Sequence, residues 1–82
     1  MVPGIIEIDL HGKNQYQAKI ALDAALRKVR PGTYRIRIIH GFHGGTELRD
    51  MIRRDYGTHP KVLRMVAGAN SGVTELILRD LR

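Results

Sequence analysis

The chain predicts an α/β domain, a four-stranded mixed sheet with both helices on one face, and three observations carry that prediction. Segments of strand-like alternation and helical periodicity follow one another in the order β-α-β-α-β-β. The first two strand segments each run into a His-Gly junction, at His11-Gly12 and His40-Gly41. The last two are separated by Gly68-Ala69-Asn70-Ser71-Gly72, a turn composition that reads as a hairpin. A length of 82 residues bounds the chain to one domain, residues 1–82, with a modest core.

Each element has its own justification. Residues 5–10 alternate, with Ile6, Ile8 and Leu10 on one face and Glu7 and Asp9 on the other. Gly12 breaks the strand, and Asn14 is placed to N-cap a helix reaching to about residue 29. Its buried stripe is Ala18, Ala21, Leu22, Ala25, Leu26 and Val29, and Pro31-Gly32 ends it. A second strand over residues 34–39 points Tyr34, Ile36 and Ile38 one way and Arg35 and Arg37 the other. A helix over residues 46–56 buries Leu48, Met51, Ile52 and Tyr56, and Gly57 with His59-Pro60 stops it. Strands over residues 61–66 and 73–78 complete the sheet.

Right-handed crossovers with the strands progressing in one direction place both helices on one face. The other face then carries Glu7, Asp9, Arg35, Arg37, Arg64, Glu75 and Arg79, a mixed-sign surface suited to cross-strand ion pairs. That face lacks the exposed aromatics on which sheet readers stack bases. The two His-Gly junctions fall at one edge of the sheet, where open α/β folds bind ligands.

Composition narrows the partner. Lys and Arg number 14 against 8 Asp and Glu, a formal charge of +6, and ten of the bases are Arg, whose fork matches phosphate oxygens. A small domain of that charge favours an anionic partner, nucleic acid foremost. The absence of cysteine excludes disulfides and thiolate metal sites. No apolar run approaches the ~20 residues of a membrane span. Met1-Val2-Pro3-Gly4 has no basic leader, so a cytoplasmic protein with no membrane partner is expected.

The chemistry-bearing residues lie at the junctions. His11 and His40 end the first two strands, and imidazoles suit proton transfer in phosphodiester cleavage. Asp9, two residues before His11, can orient an imidazole or hold a divalent cation such as Mg²⁺ or Mn²⁺. Gly41, Gly44 and Gly45 admit close approach of a phosphate, and Thr46 can cap the helix whose first N–H groups face it. His43, Lys13 and Arg49 add a loop imidazole and two cations. Without GK[ST] the loop is not a nucleoside-triphosphate P-loop. His59, before Pro60, reads as a surface turn residue, and no HxxxH or CxxC spacing supports zinc. Strict alternation would carry His40 onto the apolar face and Asp9 and His11 onto the polar one; whether the imidazoles converge depends on the glycine after each.

These motifs together resemble the small MutS-related (Smr) domain family. The family's leucine-aspartate-leucine-histidine-glycine motif is matched by Ile8-Asp9-Leu10-His11-Gly12. Its HGxG-type loop is matched by His40-Gly41-Phe42-His43-Gly44-Gly45, with one residue more before the glycine pair, and followed by Leu48-Arg49. The resemblance covers nearly the whole chain. It implies a two-layer βαβαββ sandwich similar to the C-terminal domain of translation initiation factor three. It also implies binding to DNA or RNA, endonuclease activity in several members, and action on messenger RNA at stalled ribosomes in some.

The resulting expectation is a nucleic-acid-binding domain that cleaves or nicks RNA or structured, branched DNA. Asp9, His11 and His40 are its catalytic candidates, and Lys13, Gly41, His43, Gly44, Gly45, Thr46 and Arg49 its phosphate contacts. A non-catalytic nucleic-acid or ribosome-binding module is the alternative. A phosphate enzyme for small molecules is disfavoured, because so short a chain has little with which to enclose a substrate.

Overall fold

A computed structural model describes residues 4–41 and 46–80. The elements are β1 (Ile5–Asp9), α1 (Gln15–Arg27), β2 (Arg35–Ile39), α2 (Glu47–Tyr56), β3 (Arg64–Ala67) and β4 (Val73–Ile77). They form a two-layer α/β sandwich on a four-stranded mixed sheet of order β1-β2-β4-β3. β1 and β2 are parallel, and β4 lies antiparallel between β2 and β3. Because β4 is inserted reversed, the ends of β1, β2 and β3 and the start of β4 share one edge of the sheet.

The buried face follows from the pairing. Ile6 lies beside Ile36 and Ile8 beside Ile38, while Ile36 faces Leu76 and Met65 faces Leu76 from the other side. These side chains meet Ala18, Leu22, Ala25 and Leu26 of α1 and Met51, Ile52 and Tyr56 of α2 in one apolar core. Full burial of each Ile or Leu is worth roughly 1.5–3 kcal/mol.

Local chemistry sets the helix ends. Asn14 Oδ1 accepts the Gln17 N–H at 2.8 Å and Gln17 Oε1 accepts the Asn14 N–H at 3.1 Å, a reciprocal capping box. α2 carries Glu47 and Asp50 in its first turn and Arg53 and Arg54 in its last, each sign at the favourable end of the helix dipole. The helices are joined where the Tyr56 hydroxyl donates to Asp23 Oδ1 at 2.7 Å and Lys19 Nζ reaches Asp55 Oδ2 at 3.0 Å.

Two local differences from the sequence reading stand out. β3 begins at Arg64 rather than residue 61, because a turn closed by Val62 N–H on the His59 carbonyl occupies the preceding residues. On the face away from the helices, Glu75 is only 7% exposed rather than solvated. Arg35 Nη1 and Arg37 Nε donate to its two carboxylate oxygens at 2.6 and 2.8 Å, and Arg37 also approaches Glu7 at 3.5 Å. The expected cross-strand ion pairs therefore form.

Removing that carboxylate leaves two neighbouring guanidiniums with only the 3.5 Å contact of Arg37 to Glu7 as counter-charge. Glu75→Ala is expected to lower the unfolding free energy by about 2 kcal/mol, measured by chemical denaturation. A second prediction concerns the helix contact. The Arg54 guanidinium and then the Lys19 ammonium hold the Asp55 carboxyl below its ordinary value of 3.8. A depressed folded-state pKa contributes stability above the unfolded value, and that contribution is lost as pH falls through the folded one. Asp55→Asn should therefore lower Tm near neutral pH, and the gap from the unmodified protein should close below pH 3.8.

Candidate functional site

The turn after β1 is built around a carboxylate. Asp9 Oδ1 accepts the backbone N–H of His11 at 3.1 Å and lies 2.5 Å from its Nδ1. A carboxylate can only accept, so Nδ1 carries the proton and Nε2 is left as the free nitrogen. Lys13 N–H closes the turn on the Leu10 carbonyl at 3.0 Å, with Gly12 at φ +80°. The His11 side chain is 71% exposed and that of Asp9 52%. The two hydrogen bonds from His11, side chain first and backbone second, hold the Asp9 carboxyl below the usual carboxylate range.

The turn after β2 lies against it. Gly41 adopts φ +75°, a conformation that glycine takes without steric cost. A Cβ at Gly41 would lie 3.3 Å from the Cβ of His11, so the absent side chain also makes room for the imidazole's stem. Asp9, His11 and Gly41 thus meet at one place.

His40 is held differently. The β1–β2 register continues one step, with Leu10 N–H on the Ile39 carbonyl at 2.7 Å. The alternation therefore carries His40 toward the helix layer, where it is 6% exposed. Its Nδ1 lies 2.8 Å from the Gly41 carbonyl and its Nε2 lies 2.9 Å from the Thr74 hydroxyl. The carbonyl requires the proton on Nδ1, and the Thr74 hydroxyl then donates to the neutral Nε2. Both ring nitrogens are engaged by the scaffold, whereas His11 is exposed.

The remaining candidates divide. Thr46 precedes α2 but makes no side-chain cap; its hydroxyl donates to Asp50 Oδ2 at 2.8 Å. That bond is the first cause holding the Asp50 carboxyl below its ordinary range. Arg49 Nε lies 3.5 Å from Asp50 Oδ1 without forming a hydrogen bond. Lys13 is exposed beside the His11 turn. His43, Gly44 and Gly45 lie outside the described residues. His59 sits in the turn after α2, its Nδ1 accepting the Lys61 N–H at 3.1 Å.

One component of this edge was missed by sequence reasoning. The carbonyl of Gly72 accepts the N–H groups of both His40 and Gly41, at 2.9 and 3.0 Å. The β3–β4 turn is thereby fastened to the exit of β2, and Thr74 holds His40 from the same side. Glycines bounding a turn signal a hairpin but not the edge to which it folds.

Among the described residues no three His, Cys, Asp or Glu side chains gather to hold a metal ion. Asp9 is the one carboxylate at the dyad, so these residues do not form a protein cage. One carboxylate does suit Mg²⁺ or Mn²⁺ held mainly by water and substrate phosphates. No helix among the described residues is long and apolar enough to cross a membrane.

A two-layer α/β sandwich with an exposed Asp-His dyad beside a glycine turn defines a class of small domains that carry their polar site at the sheet edge. The Smr domain family model matches residues 8–79, and the chain belongs to that family, which is associated with nucleic-acid binding and nuclease activity. Among solved structures it is similar to the Smr domain of Thermus thermophilus MutS2, at 30% identity and a TM-score of 0.80. That match covers 92% of this chain and 99% of the other. No curated protein matches the chain.

Gly41→Ala should place a methyl group against His11 in a backbone conformation hostile to L-residues. The expected outcome is a loss of about 1–2 kcal/mol in stability and a displaced His11 imidazole. Denaturation and the histidine NMR signals measure the two effects.

Proposed function

We propose that this domain binds nucleic acid and cleaves or nicks phosphodiester bonds in RNA or in structured, branched DNA. The observation that carries the reading is the exposed Asp9–His11 dyad. Its carboxylate fixes the imidazole tautomer and leaves Nε2 open to solvent beside the Gly41 turn. A base so oriented can take the proton from an attacking water or 2′-hydroxyl, and Asp9 stabilises the imidazolium that results. Lys13 and Arg49 supply positive charge for the phosphates, and membership of the Smr family supports the substrate class. Mg²⁺ or Mn²⁺ bound through Asp9 would neutralise phosphate charge.

His40 is assigned a positioning role. Its burial and its bonds to Gly41 and Thr74 hold the glycine turn against His11, so that it acts through the turn's geometry. His43, Gly44, Gly45 and Thr46 remain proposed contacts of the scissile region.

The burial of His40 favours a second reading, a non-catalytic nucleic-acid or ribosome-binding module. With His40 buried, His11 is the one exposed imidazole described at this edge, where acid–base cleavage by paired histidines needs two.

Cleavage of end-labelled single-stranded RNA, duplex DNA and branched DNA, with Mg²⁺, with Mn²⁺ and with chelator, separates the readings. His11→Ala should lower cleavage by roughly 10²–10⁴-fold while binding changes less than about twofold. Asp9→Asn should cost roughly 10–100-fold in cleavage. Binding without cleavage by the unmodified protein under every metal condition would establish the recognition module instead.

A further inference from the structure

A groove of about 290 Å³ opens between α2 and the β3–β4 hairpin. Its two walls differ in chemistry. Arg49 and Arg53 stand on the helix side, Asn70 and Ser71 on the hairpin side, and Met65 and Ala67 contribute to an apolar floor.

The polar groups of the groove have hydrogen-bonding capacity to spare. Arg49 Nε is buried and, among the described residues, has no hydrogen-bond partner, a carboxylate oxygen of Asp50 standing off at 3.5 Å. Among the described residues Arg53 has no carboxylate within ion-pair distance. Asn70 Oδ1 accepts the Gly72 N–H at 2.9 Å, which fixes the amide's orientation and leaves its NH₂ group to donate elsewhere. Two forked cations, an amide donor and a hydroxyl thus surround an apolar surface. Thr74, which bonds His40, also lines the groove, so the groove adjoins the turn that carries Gly41.

We infer that this groove holds one unpaired nucleotide of the substrate strand, its base on the Met65–Ala67 floor and its phosphate on Arg49 and Arg53. The inference rests on the proposed function and adds to it a substrate class, single-stranded nucleic acid or an unpaired segment within a structured one. Charge complementarity selects the phosphate, and the apolar floor selects a ring face rather than a sugar. The volume of about 290 Å³ lies just below the roughly 300–1,000 Å³ of small-ligand pockets, room for a single base. Asn70 and Ser71 are then placed to read the base's polar edge.

The test is binding, measured by fluorescence anisotropy on the full chain. Its probes are a labelled single-stranded RNA, the DNA strand of the same sequence, and the blunt DNA duplex. Ala67→Ile fills the floor with a branched aliphatic side chain that offers no stacking face and leaves the charge unchanged, and Arg53→Ala removes one cation from an exposed helix position; thermal melts show that each variant is folded. Each substitution is expected to weaken single-strand binding about tenfold, equivalent to about 1.4 kcal/mol, and to change duplex binding less than about twofold. Arg53→Ala should also reduce the salt dependence of single-strand binding by about 0.7 in log–log slope, the share of one phosphate contact. The RNA and DNA strands distinguish whether a 2′-hydroxyl adds to the contact. Single-strand binding unchanged in both variants, or weakened equally with duplex binding, overturns the groove while leaving the proposed function standing. Failure of the unmodified protein to bind any of the three probes overturns both.

Discussion

The carbonyl of Gly72, accepting the N–H groups of His40 and Gly41 together, is the contact on which the candidate site depends. It fastens the β3–β4 turn to the exit of β2, and parallel pairing brings the exit of β1 alongside. Three loops distant in sequence therefore share one edge. Backbone hydrogen bonds fasten them together, and side-chain bonds from Asp9, Thr74 and Asn70 shape each turn. Such bonds are individually modest, about 1 kcal/mol net. Leaving these donors unpaired near a buried imidazole would cost more, so the arrangement is narrowly defined.

The polar groups at that edge are graded by depth. His40 is buried with both nitrogens engaged, Asp9 is half exposed and accepts two bonds from His11, and His11 presents a free Nε2 to solvent. The deep imidazole belongs to the scaffold and the shallow one to the chemistry. Support from a buried, hydrogen-bonded group beneath an exposed reactive one is the usual way in which a small site attains precise geometry. A domain with so small a core has few other means of holding a loop still.

The sheet face opposite the helices contributes stability in another way. Arg35 and Arg37 each donate to one oxygen of the buried Glu75 carboxylate, across β2 and β4. Part of the positive charge that marks the sequence is consumed there. Lys13 stands exposed beside the dyad, and Arg49 and Arg53 line the groove along α2.

Much of this was legible in the chain. Alternation in residues 5–10 and 34–39, the Asn14 cap with its Gln17 partner, and the glycine-bounded hairpin turn each express local physics, and they define the order and type of every element. The Asp9–His11 pair was legible for the same reason, since two residues in one strand exit are near neighbours in any fold. The role of His40, the burial of Glu75 and the groove between α2 and the hairpin were not. Each depends on which strand lies beside which, and on whether the period-two alternation survives the glycine after the strand. The sequence by itself determined the elements and the dyad, because short-range sterics and hydrogen bonds suffice for both. Tertiary structure alone decided which polar groups were buried and which faced a ligand, because burial is a property of neighbours far apart along the chain.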